Sequence, residues 1–200
     1  MPRSSGDASP PASTVLPQHF ENLYTTAADP WNFATSWYER RKYTITMACL
    51  PREYYDSGFE AGCSIGEMTK LLAPRCRTLL AMDCAPTAIR TAREALGEFD
   101  NVTVEQAVLP SELPDGTFDL VVATEILYYL TGPDLTQLLG GLISRLRSGG
   151  DFVIAHWRAA DKSYGYDGFN VHDAVDQRSE LDSVVNHEDE NFVLTIHRRR

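Results

Sequence analysis

The sequence predicts a three-layer α/β domain, in which helices cover both faces of a mostly parallel, seven-stranded sheet with an antiparallel strand near its C-terminus. Two observations support this prediction. Short apolar segments alternate with helical segments between residues 54 and 155, as expected for right-handed βαβ crossovers. The segment Phe118–Ala123 is nearly continuously apolar after Asp119, which is typical of a central strand buried on both faces.

The chain begins with a segment rich in Pro, Ser and Ala, residues 1–17, that cannot bury enough apolar surface to offset its ordering entropy. We expect a disordered tail there and a single domain over residues 18–200, since a chain of 200 residues is long enough for one full core. Residues 18–50 are dense in aromatics and predict a helical cap, with a turn at Asp29-Pro30-Trp31 and a helix from about Ser36 to Leu50.

Alternating strands and helices are predicted over residues 51–158. The strands are expected at 54–60, 78–82, 102–106, 118–124 and 151–155, and the helices at 66–72, 86–96 and 133–146. Residues 159–200 are expected to add an acceptor-binding loop at 164–168, a helix at 171–179 and a closing pair of strands at 181–186 and 191–197.

The charge balance limits the classes of partner. With 18 Lys and Arg against 28 Asp and Glu, the formal net charge is -10, which repels a phosphate backbone and disfavours nucleic acid and anionic membranes. No apolar stretch is long enough to span a membrane, and no signal-like segment opens the chain. The four cysteines lack C-x-x-C spacing, which predicts reduced thiols and no metal site. We expect a cytoplasmic protein, monomeric or homodimeric, that acts on a small molecule.

A Gly-rich turn, Glu60-Ala61-Gly62-Cys63-Ser64-Ile65-Gly66, follows the first predicted strand, and Asp83 ends the second. Glycines let the backbone pass close to a ligand, and a carboxylate at a strand end can accept hydrogen bonds from both hydroxyls of a ribose. Asp83 follows Gly62 by about 20 residues, the spacing of a nucleoside-binding unit. The pattern therefore predicts a cofactor that contains adenosine.

Glu60 distinguishes between adenosine cofactors. A dinucleotide fingerprint would contain G-x-G-x-x-G, with the helix N-terminus free to hold a pyrophosphate. A carboxylate immediately before the turn repels pyrophosphate but suits a cationic ligand, and S-adenosylmethionine (SAM) carries an ammonium and a sulfonium group. We therefore predict SAM as the cofactor and S-adenosylhomocysteine (SAH) as its product.

The chain resembles class I SAM-dependent methyltransferases and, among them, the nodulation protein S type of N-methyltransferase. The likeness covers roughly Phe20–His156. It rests on the segments Ala28-Asp29-Pro30-Trp31, Trp37-Tyr38-Glu39-Arg40, Glu60 to Gly66, Leu71-Leu72-Ala73-Pro74-Arg75-Cys76 and Phe118 to Leu130. It implies a Rossmann-like fold and methylation of the free amine of an amino sugar or a deacetylated chito-oligosaccharide.

The resemblance also implies roles for single residues. The turn would shape the methionine end of the donor site, Asp83 would bind the ribose, and Cys84 would lie beside the adenine. Many class I enzymes carry an acidic residue after the third strand, but the stretch from Gln106 to Pro110 lacks one, so backbone groups of Ala107 or Val108 would contact the adenine. The predicted cofactor-binding residues are Trp31, Tyr38, Arg40, Glu60, Gly62, Cys63, Ser64, Gly66, Asp83, Cys84, Ala107, Val108 and Glu125. Among them, Trp31, Tyr38 and Arg40 would form a lid, in which Arg40 supplies a cation for the SAM carboxylate.

Glu125 ends the fourth predicted strand, at the edge of the sheet where open α/β folds bind ligands. An amine must lose its proton before it attacks, so a nearby proton acceptor is useful. Glu125 and His156 are the predicted catalytic residues, with His172 as a further candidate. Tyr128 and Tyr129 could line the acceptor pocket.

Several alternatives stay open at this stage. His156 and His172 are compatible with purely structural roles, and Glu125 with a solvated strand end. Methyl transfer to oxygen or sulfur is also compatible with the sequence, because acceptor residues lie in variable loops. A non-catalytic SAM-binding subunit that supports a partner protein is the third possibility.

Overall fold

The computed structural model of the protein describes residues 14–158 and 168–200. Most of the predicted tail, residues 1–13, and the predicted binding loop up to residue 167 lie outside the described residues. The helices are α1 (Pro17–Thr26), α2 (Trp37–Cys49), α3 (Glu67–Leu72), α4 (Pro86–Ala95), α5 (Gly132–Arg145) and α6 (Gly168–Asp176). The strands are β1 (Tyr55–Ala61), β2 (Cys76–Asp83), β3 (Val102–Gln106), β4 (Phe118–Thr124), β5 (Leu146–Trp157), β6 (Leu181–Glu188) and β7 (Phe192–Arg199).

The strands of the described residues form one sheet in the order β3-β2-β1-β4-β5-β7-β6. β7 runs antiparallel to both of its neighbours, and the other pairings are parallel. The predicted fold class is therefore confirmed. The chain leaves β1 towards β2 and leaves β4 towards β5, so the carboxyl ends of the adjacent strands β1 and β4 form the topological switch point at which such sheets bind ligands.

β4 is the centre of the core. Leu120 and Val122 pack on one face of the sheet, in a cluster with Leu72 of α3, and Val121 packs on the other face with Leu142 of α5. All of these side chains have no exposed surface. Burial on both faces explains the continuous apolar pattern of this strand. None of the described helices is both long and apolar enough to cross a membrane.

The N-terminal segment is anchored across the carboxyl edge of the sheet. The Val15 N–H donates to the Tyr129 carbonyl at 2.9 Å. On α1, the Glu21 carboxylate accepts hydrogen bonds from the backbone N–H and the hydroxyl of Thr87, at 2.9 and 2.7 Å. Residues 14–17 therefore contact the rest of the domain, whereas a disordered tail was predicted for them. Local composition does not reveal a partner that lies more than a hundred residues away.

α2 matches the predicted helix, with the Ser36 hydroxyl accepting the Glu39 N–H at its N-cap. Asp29 caps the preceding turn by accepting the backbone N–H groups of Phe33 and Ala34, at 2.8 and 3.0 Å. The largest shift in a predicted boundary is in β5, which starts at Leu146 because this residue pairs with Phe118 across a register irregularity.

Candidate functional site

The Gly-rich turn between β1 and α3 brings bare backbone to the switch point. Gly62 has a φ of +80°, and a Cβ at this position would lie 2.2 Å from Cγ2 of Ile126. Both conformation and space therefore require glycine. The N–H groups of Gly62 and Cys63 donate to the Met82 carbonyl at 2.8 and 2.9 Å, which ties the turn to the end of β2.

Ser64 joins this turn to Asp83 and to the N-terminal cap. Its backbone lies at a φ of +51°, and its N–H donates to Asp83 Oδ2 at 2.9 Å. Its hydroxyl is hydrogen-bonded to the Tyr24 hydroxyl of α1. The other Asp83 oxygen accepts the Ala85 N–H at 3.0 Å. The carboxylate predicted to bind the ribose is thus held at a fixed position beside the turn.

Glu60 lies beneath the turn and is 1% exposed. It accepts a hydrogen bond from the Thr69 hydroxyl at 2.6 Å. Burial raises the pKa of Glu60 to about 7, against the opposing effect of Thr69, and the nearby Asp83 carboxylate contributes to the rise. A cation bound at the turn would favour the ionised form of Glu60, which agrees with the cationic ligand predicted for this residue.

A cavity of about 900 Å³ lies over this edge of the sheet, within the size range of small-molecule sites. Tyr128 and Tyr129, predicted for the acceptor side, line the cavity. The predicted cofactor-binding residues that line it are Trp31, Tyr38, Glu60, Gly62, Cys63, Ser64, Asp83, Cys84, Ala107, Val108 and Glu125. Gly66, Arg40 and His156 do not line it. Gly66 supports the turn as the N-cap of α3, at a φ of +89°.

The position of Arg40 contradicts its predicted role in binding the cofactor. Its side chain is exposed on the outer face of α2, where it donates to the Thr35 carbonyl at 2.6 Å. The inward face of this helix carries Glu39, Lys42 and Thr46, at helical spacing. Arg40 therefore points away from the cavity and is not placed to hold the SAM carboxylate.

The surroundings of His156 contradict a second prediction, that of a catalytic base. It has no exposed surface, its Nε2 accepts the Leu127 N–H at 3.4 Å, and its Nδ1 lies 3.2 Å from His172 Nε2. His172 Nδ1 lies 2.9 Å from the Thr195 hydroxyl. Burial lowers the pKa of His156 to about 3, and the Lys42 ammonium adds to this. His156 is therefore a neutral structural residue beneath the turn at Leu127–Tyr129 and not the predicted base.

The backbone groups predicted to contact the adenine already have partners. The Ala107 N–H donates to the Asp83 carbonyl at 2.9 Å, and the Val108 N–H donates to Glu112 Oε2 at 2.6 Å. The Val108 carbonyl accepts the Ser111 hydroxyl at 2.7 Å. An acidic side chain is thus present near this position after all, contributed by Glu112 from four residues further along the chain.

Sequence reasoning missed an ionic cluster that surrounds Glu125. Lys42, 2% exposed, forms ion pairs with Glu125 and, at 2.9 Å, with Glu39. Glu125 Oε2 accepts the Tyr128 hydroxyl at 2.6 Å and the Trp157 N–H at 3.1 Å. The helical spacing of Glu39, Lys42 and Thr46 could have identified the inward face of α2. Nothing in the sequence indicates that Lys42 pairs with Glu125, because the two residues are 83 positions apart.

Acidic groups dominate the charge of the cavity. Six carboxylates line it, those of Glu39, Glu60, Glu67, Asp83, Glu125 and Asp134, whereas no Lys or Arg is among its described lining residues. Low-dielectric walls strengthen the field of such a set of charges. The cavity is therefore suited to ligands that carry positive charge.

The family model described as nodulation protein S matches residues 20–182, which is most of the chain. The chain belongs to the nodulation protein S family. This membership confirms the predicted resemblance.

Curated members of the nodulation protein S family are moderately similar to this chain. It is 28% identical over 142 residues to nodulation protein S of Rhizobium tropici, covering 70% of this chain and 60% of that protein. It is 35% identical over 104 residues to nodulation protein S of Bradyrhizobium diazoefficiens, covering 51% and 49%. The chain thus spans about half to three fifths of the length of these relatives.

Solved structures share the fold. A putative methyltransferase from Pseudomonas syringae is 35% identical, with a TM-score of 0.74 over 82% of this chain and 100% of that chain. The N-methyltransferase NodS from Bradyrhizobium japonicum WM9, in complex with SAH, is 24% identical, with a TM-score of 0.81 over 91% and 97% of the two chains. The three-layer architecture is therefore that of a methyltransferase.

Proposed function

We propose that this protein transfers the methyl group of SAM to the amine of a small molecule, an amino sugar or a compound resembling a deacetylated chito-oligosaccharide. The observation that carries the proposal is the acidic cavity, in which six carboxylates and no described Lys or Arg face the ligand. Both SAM and a protonated amine are attracted to such a site, whereas a phosphorylated acceptor is repelled. NodS from Bradyrhizobium japonicum, which shares the fold, is an N-methyltransferase, and this agrees with nitrogen as the target.

The residues around the turn fit the donor. Gly62 brings the backbone of the turn to the wall of the cavity, and Asp83 is held by two amides at the position proposed for the ribose hydroxyls. Glu60 lies under the turn, where the ammonium end is proposed to bind. When bound, SAM supplies an electrophilic methyl group on a sulfonium that leaves without acid assistance.

On the acceptor side the protein must align the nitrogen, exclude water and accept a proton. Glu125 lines the cavity at the end of β4 and is the proposed partner of the acceptor N–H. As the nitrogen lone pair forms its bond to the methyl carbon, the carbon–sulfur bond breaks, and Glu125 or solvent takes up the proton that the amine releases. Tyr128 and Tyr129 offer aromatic faces to a sugar ring.

The test is a radiolabelled methyl-transfer assay with glucosamine oligomers, their N-acetylated counterparts and O-linked analogues that lack the amine. We expect transfer to the free-amine compounds and none to the acetylated ones. Calorimetric binding of SAH should accompany it, and Asp83→Asn should weaken this binding about 10- to 100-fold, the range for a lost hydrogen bond to a charged group. The exposed Asp182→Asn is the matched control. Transfer only to hydroxyl compounds would refute the amine assignment, and unchanged SAH affinity in Asp83→Asn would refute the donor site.

A further inference from the structure

We propose that Lys42 is a positioning residue for the methyl acceptor: it holds the Glu125 carboxylate in place so that one remaining lone pair meets the acceptor N–H. The inference rests on the proposed amine methylation and adds a residue that acts through Glu125. Lys42 itself is not among the residues that line the cavity.

Glu125 is held in an unusual conformation. Its φ is +57°, a region that costs a side chain of this kind about 1–3 kcal/mol and persists only where the surroundings impose it. The imposing contacts come from three elements: the Lys42 ammonium on α2, the Tyr128 hydroxyl in the turn after β4, and the Trp157 N–H at the end of β5. The Glu125 N–H donates to the Ala155 carbonyl at 2.9 Å, which fixes the backbone as well.

The hydrogen-bonding capacity of Glu125 leaves room for one ligand donor. An ionised carboxylate offers about four acceptor sites. Lys42, Tyr128 and the Trp157 N–H use three of them, and the side chain, 15% exposed, lines the cavity. Glu125 can therefore accept one hydrogen bond from an acceptor amine without releasing a protein donor.

The charges of the cluster suit a single cation. Burial alone would lower the pKa of Lys42, but the carboxylates of Glu125 and Glu39 outweigh this effect and raise it, so Lys42 is an ammonium at neutral pH. One ammonium between two carboxylates leaves a net charge of -1 when both acids are ionised. The ring centroid of Tyr38 lies 5.0 Å from the Lys42 ammonium. His156 on β5 is neutral and adds no charge to the cluster.

The experiment is a double-mutant cycle on the full chain with Lys42→Gln, Glu125→Gln and the double variant, plus Lys42→Arg as the conservative variant. The readouts are SAH affinity by calorimetry, and kcat and KM for a glucosamine oligomer. Because one partner of a buried charge pair is removed, we expect Lys42→Gln to lower kcat/KM for the acceptor roughly 100-fold. SAH affinity should change less than about threefold, and Lys42→Arg should recover most of the loss.

Non-additivity decides the mechanism. If Lys42 acts through Glu125, the double variant has the same kcat/KM as Glu125→Gln. The double variant also removes both charges of the pair, so this comparison decides the matter even if Lys42→Gln alone does not fold. A further loss in the double variant, equal loss of SAH affinity, or failure of Lys42→Arg to recover activity would overturn the proposal. Failure of wild-type protein to methylate any amine would instead overturn the proposed function.

Discussion

Replacing Gly62 by alanine is the sharpest test of how the donor site is built. The new Cβ would meet Cγ2 of Ile126 at 2.2 Å while the backbone stays at a φ of +80°. The left-handed conformation costs alanine about 1–2 kcal/mol, and relief of the overlap costs a further 1–3 kcal/mol or so. We therefore expect Gly62→Ala to lower the free energy of unfolding by about 2–5 kcal/mol.

The assay is thermal and urea unfolding, together with SAH binding. For a domain of this length each kcal/mol corresponds to about 2–4 °C, so Tm should fall by roughly 4–20 °C. Ile126→Leu supplies the matched partner, because leucine lacks the β-carbon methyl that causes the clash. The double variant Gly62→Ala/Ile126→Leu should recover the about 1–3 kcal/mol lost to the overlap. It should still lack the about 1–2 kcal/mol that the left-handed conformation costs alanine.

Two results would refute this reasoning. One is a Gly62→Ala variant with unchanged Tm, which would mean that the turn adapts without strain. The other is a destabilised variant that Ile126→Leu does not improve, which would mean that the contact with Ile126 is not the source of the loss. Weakened SAH binding with unchanged stability would assign Gly62 to ligand contact alone.

Three further predictions concern the same site. Arg40→Ala should leave SAH affinity within about twofold of wild type, since an exposed polar contact contributes little; a tenfold loss by calorimetry would restore Arg40 as a ligand residue. Tyr24→Phe should lower the free energy of unfolding by about 1 kcal/mol, because it removes the hydrogen bond to Ser64. Ser64→Gly should be less destabilising, because glycine relieves the strain at a φ of +51°. The reverse order in urea unfolding would contradict this. His156 has a pKa of about 3 in the folded protein against 6.5 in the unfolded chain, so the folded state is favoured above pH 6.5 and loses about 2 kcal/mol of stability by pH 5. Glu60 has a pKa of about 7 against 4.5, so it contributes stability at pH 5 that is lost as the pH rises through 7. When the pH is lowered from 7.5 to 5, the free energy of unfolding of His156→Asn, measured with urea, should rise by about 2 kcal/mol relative to wild type. That of Glu60→Gln should fall by about 2 kcal/mol relative to wild type. Equal pH dependence in both variants would disprove the assignment.

Much of the architecture was predictable because it depends on local periodicity. The apolar run of β4, the strand–helix alternation and the turn from Glu60 to Gly66 are written into consecutive residues. The spacing between Gly62 and Asp83 also follows from the length of one βαβ unit. The residues on the turn side of the cavity were therefore accessible to reasoning from the sequence.

The acceptor half was less accessible because its contacts join distant segments. His156 was predicted as a base, but full burial against His172 and Leu127 makes it a neutral support. Arg40 and Lys42 are two residues apart, and only the rotation of α2 against the sheet decides that Lys42 points inward. Residues 14–17 were predicted as disordered from their composition, since their partners on the turn after β4 lie too far along the chain to show in a local pattern.

The sequence by itself determined the fold class and the position of the Gly-rich turn, with Glu60 at its start and Asp83 beyond it, because each depends on residue types at fixed short spacing. Only the tertiary structure decided which charges meet. Lys42 and Glu125 are brought together by the packing of α2 over the ends of β4 and β5, and burial then sets the protonation of Glu60 and His156. Burial and long-range pairing are properties of the packed chain, which no local pattern encodes.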